Sequence, residues 1–355
     1  MPPNAKTPVL FLGFNRPDLA EQVFAAIRDY QPKQLFIAVD GPRVDVPEDA
    51  EAVQQMRQFD SRVDWDCEVE TLYHEQNEGC QAAVSGAIDW FFSHVEEGII
   101  LEDDCVPDLS FFAFCHEMLD RFRDDTRVMS ISGECYPGAW QDRCDASYSF
   151  SCYSLIWGWA TWRRAWQLYD GSLTTFPDDV KSGWLDRFFR RQFVRDEWLE
   201  HLWYTHNTPG FTWDYQWVYA TWIHSGLCIV PTQNLISNIG CGPEATHTVT
   251  ADWKMANRVA SSLSLPLKHP TAVKRNYLLD ETLEETRYEM AEPEDNAEEA
   301  WSAPVIREPP PKAEEPVKKR IFSRKRFRKF LHRTLRPRSE GRNGGGDTER
   351  ERGGE

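Results

Sequence analysis

Residues 98–108 of this 355-residue chain read GIILEDDCVPD, a short apolar run that passes directly into acids. The apolar run is too short for a surface helix, and Pro107 blocks its continuation as a central strand. Ligands of open α/β sheets bind outside the carboxyl ends of the strands. We therefore predict a buried parallel strand that ends at a ligand crevice and presents three acids to it: Glu102, Asp103 and Asp104.

The three adjacent carboxylates indicate a cation site, because like charges repel one another and a cation between them relieves that repulsion. Oxygen-only ligands suit Mg²⁺ or Mn²⁺, and such ions in proteins usually also hold substrate phosphates. Asp104 is the residue that we expect to bind the metal. The alternative interpretation is a solvated acidic turn that follows a strand and binds nothing.

Composition narrows the class of protein. The formal net charge of −17 argues against a general nucleic-acid binder, although a metal ion can bridge an acidic protein to nucleotide phosphates. The nine cysteines include no CxxC pair, which argues against zinc and fits free thiols in a reducing cytosol. We recognise neither a signal peptide nor a membrane-spanning stretch, and we expect a cytoplasmic protein.

Strand and helix signals alternate along the chain. Apolar, β-rich runs predict strands at residues 8–14, 34–39, 66–73, 99–101, 128–132 and 227–231. Helical periodicity and capping signals predict helices at residues 19–30, 47–59, 80–95, 109–123, 176–204 and 215–224. This β-α-β order, with right-handed crossovers, predicts an α/β fold with a mostly parallel sheet flanked by helices.

Two further strands end in residues that suit a nucleotide. Arg16 could reach a phosphate, and Asp40 could accept a hydrogen bond from a base or a ribose. Alternatively, Arg16 forms a surface ion pair, and Asp40 shapes a turn ahead of Gly41 and Pro42. Their placement at successive strand ends, together with Asp104, favours the joint ligand-binding interpretation. Neither GxGxxG nor GxxxxGK[ST] occurs, so neither a standard dinucleotide site nor a P-loop is indicated.

An aromatic stretch, WGWATWRRAW at residues 157–166, allows two interpretations. Trp159, Trp162 and Trp166 recur at helical spacing, which is typical of core packing. Alternatively, the stretch offers a sugar ring a stacking surface, with a glycine that allows close backbone approach. The residues of that surface would be Trp157, Gly158 and Trp159.

Two single residues further along are candidates for chemistry. Asp214 lies between Trp213 and Tyr215, where it loses solvation and becomes a better general base. The alternative role for Asp214 is the N-cap of the helix that follows it. His247 ends a glycine-containing loop, where it could be a metal or phosphate ligand, although a lone histidine is more often structural.

Together these motifs resemble the GT-A glycosyltransferases over about residues 8–247. The resemblance is closest to the branch that contains N-acetylglucosaminyltransferase I and to bacterial enzymes of surface-polysaccharide assembly. It implies that Arg16 of FNRPD lies before the nucleotide and that Asp40 of VDG lies near a uracil. The EDD at residues 102–104 matches the family's DXD variant, which implies Glu102 and Asp103 at the donor and the last Asp on the metal.

The later motifs continue the resemblance. Trp157-Gly158-Trp159 resembles the family's aromatic Gly-Trp segment, which implies a role at the acceptor. The family's catalytic-base motif is Trp-Asp-Asp-Trp, and residues 213–217 here read WDYQW. The first acid, Asp214, therefore carries over as the base, whereas the second does not. Ser237 and His247 match a downstream serine at the donor and a histidine at the metal.

The resemblance implies a metal-dependent glycosyltransferase that uses Mn²⁺ or Mg²⁺. Its donor would be a nucleotide-diphosphate sugar, with UDP-sugars favoured, and its acceptor a glycan or a lipid-linked molecule. One base and a direct attack would invert the anomeric configuration. The alternative enzyme is a sugar-nucleotide nucleotidyltransferase. Such an enzyme would require a loop rich in glycine and basic residues, which is absent around Phe14. The non-enzyme alternative is an accessory protein that binds nucleotide sugars without catalysis.

Beyond residue 280 the composition changes. We assign residues 1–280 to the GT-A domain and expect 281–317, which are acidic and proline-bearing, to be disordered. Residues 318–338 read KKRIFSRKRFRKFLHRTLRPR. This basic amphipathic pattern predicts a helix that lies on the anionic inner face of a membrane. Alternatively, this segment is a solvated tail, folds back on the acidic linker, or contacts nucleic acid. We expect no nucleic-acid partner. The Gly-rich residues 339–355 are expected to be disordered.

Overall fold

The computed structural model describes residues 7–240 and 258–288, apart from the side chain of Tyr288. The predicted ligand His247 lies outside the described residues, as do segments 318–338 and 339–355 and most of the predicted linker. Within the described residues, every helix is too short or too polar to cross a membrane.

The described residues form ten strands: β1 Val9–Gly13, β2 Gln34–Val39, β3 Glu68–Tyr73, β4 Glu97–Glu102, β5 Cys105–Pro107, β6 Val128–Ser132, β7 Tyr148–Ser151, β8 Trp159–Trp162, β9 Leu227–Pro231 and β10 Ile236–Asn238. Eight of them form the central sheet in the order β3-β2-β1-β4-β8-β6-β9-β7. Six of these run in one direction, and β8 and β7 run against them. The predicted mostly parallel sheet is therefore confirmed. Strands β5 and β10 form a separate antiparallel pair.

The described residues also contain ten α-helices: α1 Pro17–Tyr30, α2 Glu48–Arg57, α3 Cys80–His94, α4 Leu109–Phe122, α5 Arg163–Trp166, α6 Phe176–Ser182, α7 Trp184–Phe188, α8 Gln192–Asn207, α9 Asp214–Ile223 and α10 Tyr277–Tyr288. Side chains of α1, α2 and α4 pack with Val9 and Phe11 of β1 on one face of the sheet. Side chains of α3 and α9 pack with Leu10 and Leu12 on the other. Because helices cover both faces, β1 is apolar at nearly every position, as buried parallel strands are.

The tryptophan-rich stretch is a strand followed by one helical turn. Trp159–Trp162 forms β8, which pairs antiparallel with both β4 and β6. Residues three apart in a strand point to opposite faces. Accordingly, Trp159 packs on the α3 side and Trp162 on the α1 side. The core-packing interpretation is confirmed, because Trp159, Trp162 and Trp166 are all buried, but their spacing does not reflect one helix.

Two predicted boundaries differ from the structure. The helix expected over residues 176–204 is three helices, α6, α7 and α8, and Gly183, with a φ of +69°, separates the first two. Helix α10 continues past residue 280, where we expected the disordered linker to begin. It does so because Leu279 and Leu283 are buried in the cluster that α8 and α9 share.

The parallel strands bring their carboxyl ends to one edge of the sheet, which is called the crevice edge below. Strands β1, β2, β4 and β6 end there, and the antiparallel strand β8 begins there. Register fixes the neighbours, since Leu12 of β1 lies opposite Glu102 of β4 and Gly13 lies opposite Val39 of β2. The fold therefore gathers most of the predicted site residues at the crevice edge.

Candidate functional site

Arg16 lies at the centre of the candidate site. It is the N-cap residue of α1, and its guanidinium contacts Asp103 and lies 2.9 Å from Asp104 Oδ2. Burial opposes the positive charge of Arg16, but the two aspartates outweigh that effect and raise its pKa. The alternative of a simple surface ion pair does not describe this arrangement, since Asp103 is only 2% exposed.

The three acids after β4 have different surroundings. Asp103 points inward, where the Phe14 N–H donates a hydrogen bond to it at 3.4 Å. Burial raises the pKa of Asp103 to about 6, against the opposing effect of Arg16. Burial, followed by repulsion from Asp104 and Asp103, raises the pKa of half-buried Glu102 to about 8. The ionised forms of Glu102 and Asp103 are therefore disfavoured, even with Arg16 beside them.

The chemistry of this cluster fits a divalent ion. Among the described residues, no three His, Cys, Asp or Glu side chains converge as a ready metal site. Mg²⁺ does not require such a cage, because it is usually bound by one or two carboxylates together with substrate phosphates. Asp104, the more exposed partner of Arg16, and Glu102 supply that kind of donor, and Arg16 already places a cation between Asp103 and Asp104.

Asp40 is engaged by the chain itself. Its Oδ1 accepts hydrogen bonds from the N–H groups of Gly41 at 2.8 Å and Glu78 at 2.9 Å. Its Oδ2 accepts one from the Asn77 amide at 2.8 Å. These bonds tie the end of β2 to the loop that leads into α3. Asp40 thus shapes a turn, and the described conformation leaves little of its carboxylate for a base or ribose.

Asp214 faces the same crevice from α9. It is the first residue of that helix, and Trp213 rather than Asp214 is the N-cap residue. The Asp214 carboxylate accepts a hydrogen bond from the Thr212 hydroxyl. The half-buried Cys80 thiol at the start of α3 connects it to the other acids. Burial, and then the charges of Glu102, Asp214 and Asp40, raise the pKa of Cys80. The charges of Glu102, Asp214 and Asp40 therefore all act on this thiol.

The predicted acceptor residues, Trp157, Gly158 and Trp159, lie at the start of β8 or just before it. Gly158 has a φ of +61°, and its carbonyl accepts a hydrogen bond from the Gly133 N–H at 2.8 Å. Trp157 is half-buried, whereas Trp159 is fully buried and stacks on Trp213. The Trp159 ring has no face left for an acceptor and drops out of the candidate site.

Ser237 reaches the cluster through the small sheet. It lies on β10, opposite Val106 of β5, and its Oγ accepts a hydrogen bond from the Ala260 N–H at 2.7 Å. The segment that follows β10 contacts Asp104. The backbone of Gly240 lies so close to Asp104 that a Cβ atom at position 240 would overlap the carboxylate. The Ser237 segment and the acids are therefore adjacent.

Sequence reasoning missed three residues of this region. Cys80 lies among the acids, and the pKa of Tyr169 is raised by burial and then by the charge of Asp214. Glu134 follows β6 at the crevice edge and is 5% exposed. The rule that ligands bind beyond strand ends could have found Glu134, whereas nothing local marks the other two.

The known structures that resemble this chain are distant. No protein-family profile matches the sequence, and no curated protein sequence matches it. Mouse xyloside xylosyltransferase 1 superposes with a TM-score of 0.35 and 9% identity, covering 76% of this chain and 100% of that one. A UDP-glucose pyrophosphorylase bound to UDP-glucose superposes with a TM-score of 0.25 and 8% identity, covering 42% of this chain and 64% of that one. A 4-diphosphocytidyl-2C-methyl-D-erythritol synthase from Anaerococcus prevotii superposes with a TM-score of 0.29 and 7% identity, covering 48% of this chain and 78% of that one. At such scores none of them bears on the activity of this chain.

The position of Arg16 predicts competition with a metal ion. Because its guanidinium occupies Asp103 and Asp104, we expect Arg16→Met to bind Mn²⁺ about tenfold more tightly in the absence of nucleotide. Isothermal titration calorimetry measures this affinity. Arg43→Met is the matched control, since Arg43 pairs with Asp49 at 2.6 Å, and it should leave Mn²⁺ affinity unchanged. Equal or weaker Mn²⁺ binding by Arg16→Met would contradict the competition.

Proposed function

We propose that this chain is a metal-dependent, inverting GT-A glycosyltransferase that acts at the cytoplasmic side of a membrane. Its donor is a nucleotide-diphosphate sugar, with UDP-sugars favoured, and its acceptor is a glycan or a lipid-linked molecule of polysaccharide biosynthesis. The observation that supports this most is that the charge of Asp214 acts on Glu102 and that both act on Cys80, while Arg16 contacts the two aspartates that follow Glu102.

The donor side of the site would hold the nucleotide diphosphate and a metal ion. Asp104 would bind Mn²⁺ or Mg²⁺, with His247 as a further ligand, and the ion would neutralise the leaving diphosphate. Glu102 and Asp103 line this side, as does Ser237. Arg16 is placed to turn from the aspartates to a phosphate, which it can bind bidentately.

Asp214 is the proposed general base. It takes the proton from an acceptor hydroxyl as that oxygen bonds to the anomeric carbon and the bond to the diphosphate oxygen breaks. The Thr212 hydroxyl, which donates to the Asp214 carboxylate, holds it in one orientation. Because the acceptor attacks directly and opposite to the leaving group, the anomeric configuration inverts. Trp157 and Gly158 lie on the acceptor side of this reaction.

Two alternatives predict different reactions from the same crevice. A nucleotidyltransferase would bind a nucleoside triphosphate and a sugar phosphate and release pyrophosphate. The loop after β1 reads FNRP and lacks the glycines that such an enzyme would use to wrap phosphates. An accessory protein would bind the donor and release no nucleoside diphosphate.

A thermal-shift screen of nucleotide sugars, with and without Mn²⁺, tests the proposed function. We expect UDP-sugars to raise Tm by about 5 °C at a concentration about 100 times Kd, and only with Mn²⁺ present. Stabilisation by a nucleoside triphosphate with pyrophosphate release would favour the nucleotidyltransferase. If no nucleotide sugar raises Tm with either Mn²⁺ or Mg²⁺, the proposal is wrong.

Removal of the proposed base should separate binding from chemistry. We expect Asp214→Asn to lower sugar transfer by about 10²–10⁴-fold, because general-base catalysis contributes that much, and to leave donor affinity nearly unchanged. Release of UDP from the donor identified by the screen is the measurement. Asp178→Asn is the control, since Asp178 is an exposed acid in the first turn of α6. Full activity in Asp214→Asn would exclude this role.

We further propose that residues 318–338 bind the anionic inner face of a membrane. The segment contains many Lys and Arg residues and no acid, and each basic residue near such a surface contributes roughly 1 kcal/mol. Deletion of 318–338 should abolish flotation with anionic liposomes, whereas deletion of 339–355 should not. Equal flotation of the two deletions would refute membrane binding by this segment.

A further inference from the structure

Glu134 is a buried acid to which the proposed reaction assigns no part. It is 5% exposed, and burial raises its pKa to about 7. The Tyr136 hydroxyl donates a hydrogen bond to Oε1 at 2.6 Å, and the Trp157 N–H donates one to Oε2 at 3.1 Å. A buried carboxyl group is costly to keep, and a chain retains one where its hydrogen bonds are needed.

The loop that carries Glu134 joins two other parts of the candidate site. The Gly133 N–H donates to the Gly158 carbonyl at 2.8 Å, and the Leu235 N–H donates to the Gly133 carbonyl at 2.8 Å. The Ile236 side chain packs so tightly on Gly158 that a Cβ atom at position 158 would overlap the Ile236 side chain. The turn at Trp157 and Gly158 is therefore held between the loop after β6 and the strand that carries Ser237.

The strand that contacts this loop also contacts the segment after the acids, because Ile236 of β10 pairs with Pro107 of β5 and Asn238 pairs with Cys105. The fully buried Cys105 thiol is influenced by the charges of Asp104 and Glu102 and also by that of Glu134. Through its bond to the Trp157 N–H, Glu134 joins the aromatic turn to the loop after β6.

We propose that Glu134 is a positioning residue, which holds the Trp157–Gly158 turn so that the Trp157 ring can stack on a pyranose ring of the acceptor. The proposal rests on the proposed function for the identity of the acceptor as a sugar. It assigns Glu134 no contact with substrate. Its effect passes through the Trp157 backbone, so loss of the carboxylate should weaken sugar stacking and leave the nucleotide side intact.

Fluorine NMR of protein labelled with 5-fluorotryptophan tests this directly, with Trp157→Phe identifying the Trp157 resonance. We expect methyl glycosides of common hexoses to shift that resonance in the unmodified chain. In Glu134→Gln only one of the two acceptor oxygens remains for the Tyr136 hydroxyl and the Trp157 N–H. The resonance should therefore move and broaden, and glycoside affinity should fall about tenfold, as expected for the loss of one hydrogen bond. Mn²⁺-dependent binding of UDP, measured on the same samples, should change less than about twofold.

Asp280→Asn is the matched control. Asp280 is 2% exposed and accepts hydrogen bonds from the Ser151 hydroxyl and the Cys152 N–H, at the opposite edge of the sheet. It should leave the Trp157 resonance in place. If Glu134→Gln does not fold, Tyr136→Phe removes one bond to Glu134 and should shift the resonance in the same direction.

Three outcomes would overturn the proposal: an unmoved Trp157 resonance in the Glu134 or Tyr136 variant, an equal shift in Asp280→Asn, or no response of Trp157 to any glycoside. Failure of UDP to bind any of these samples, by contrast, would contradict the proposed glycosyl transfer. The Trp157 resonance would still decide whether Glu134 positions the turn. The two proposals therefore fail separately.

Discussion

Crowding of negative charge at one edge of the sheet is the constraint on which the candidate site depends. Glu102, Asp103 and Asp104 follow one another on the chain, so the backbone holds them together whatever their mutual repulsion. Arg16 supplies one positive charge against them. Burial, and then the repulsion from Asp104 and Asp103, raises the pKa of Glu102 in spite of Arg16. Acids held together in this way lower the stability of the folded chain, a cost that is typical of functional sites.

The fold can support that crowding because the strands beneath it are fully buried. Strands β1 and β4 are neighbours in the middle of the sheet, and both faces are covered by helices. The apolar residues that precede the acids are packed on each side, so Ile99, Ile100 and Leu101 have no exposure at all. Movement of one acid away from the others would require movement of this core.

The elements that the sequence predicted well are those whose signals are local. Strands β1, β2, β4, β6 and β9 are apolar runs bounded by Gly, Pro or Asp, and they occur within a few residues of the predicted limits. Strand β8 was missed because its place between β4 and β6 depends on partners remote in the chain. Strands β5 and β10 were missed for the same reason, since neither has a hydrophobic pattern long enough to read.

The same distinction applies to the candidate site. The residues at strand ends, Arg16, Asp40 and the EDD acids, could be named because parallel strands bring their ends to one edge. Their partners could not be named. Besides the N–H of the adjacent Gly41, Asp40 accepts hydrogen bonds from the Glu78 N–H and the Asn77 amide of a loop remote in the chain, and no local sequence pattern reveals that contact.

The contrast between Trp157 and Trp159 has the same origin. The two tryptophans are alike in sequence and are separated by a single glycine, but one is half-buried and the other fully buried. The turn that separates them is held between the loop after β6 and β10. The side that binds the donor in the proposed reaction is thus built from local strand ends, and the acceptor side from long-range contacts. A sequence therefore reveals the first more readily than the second.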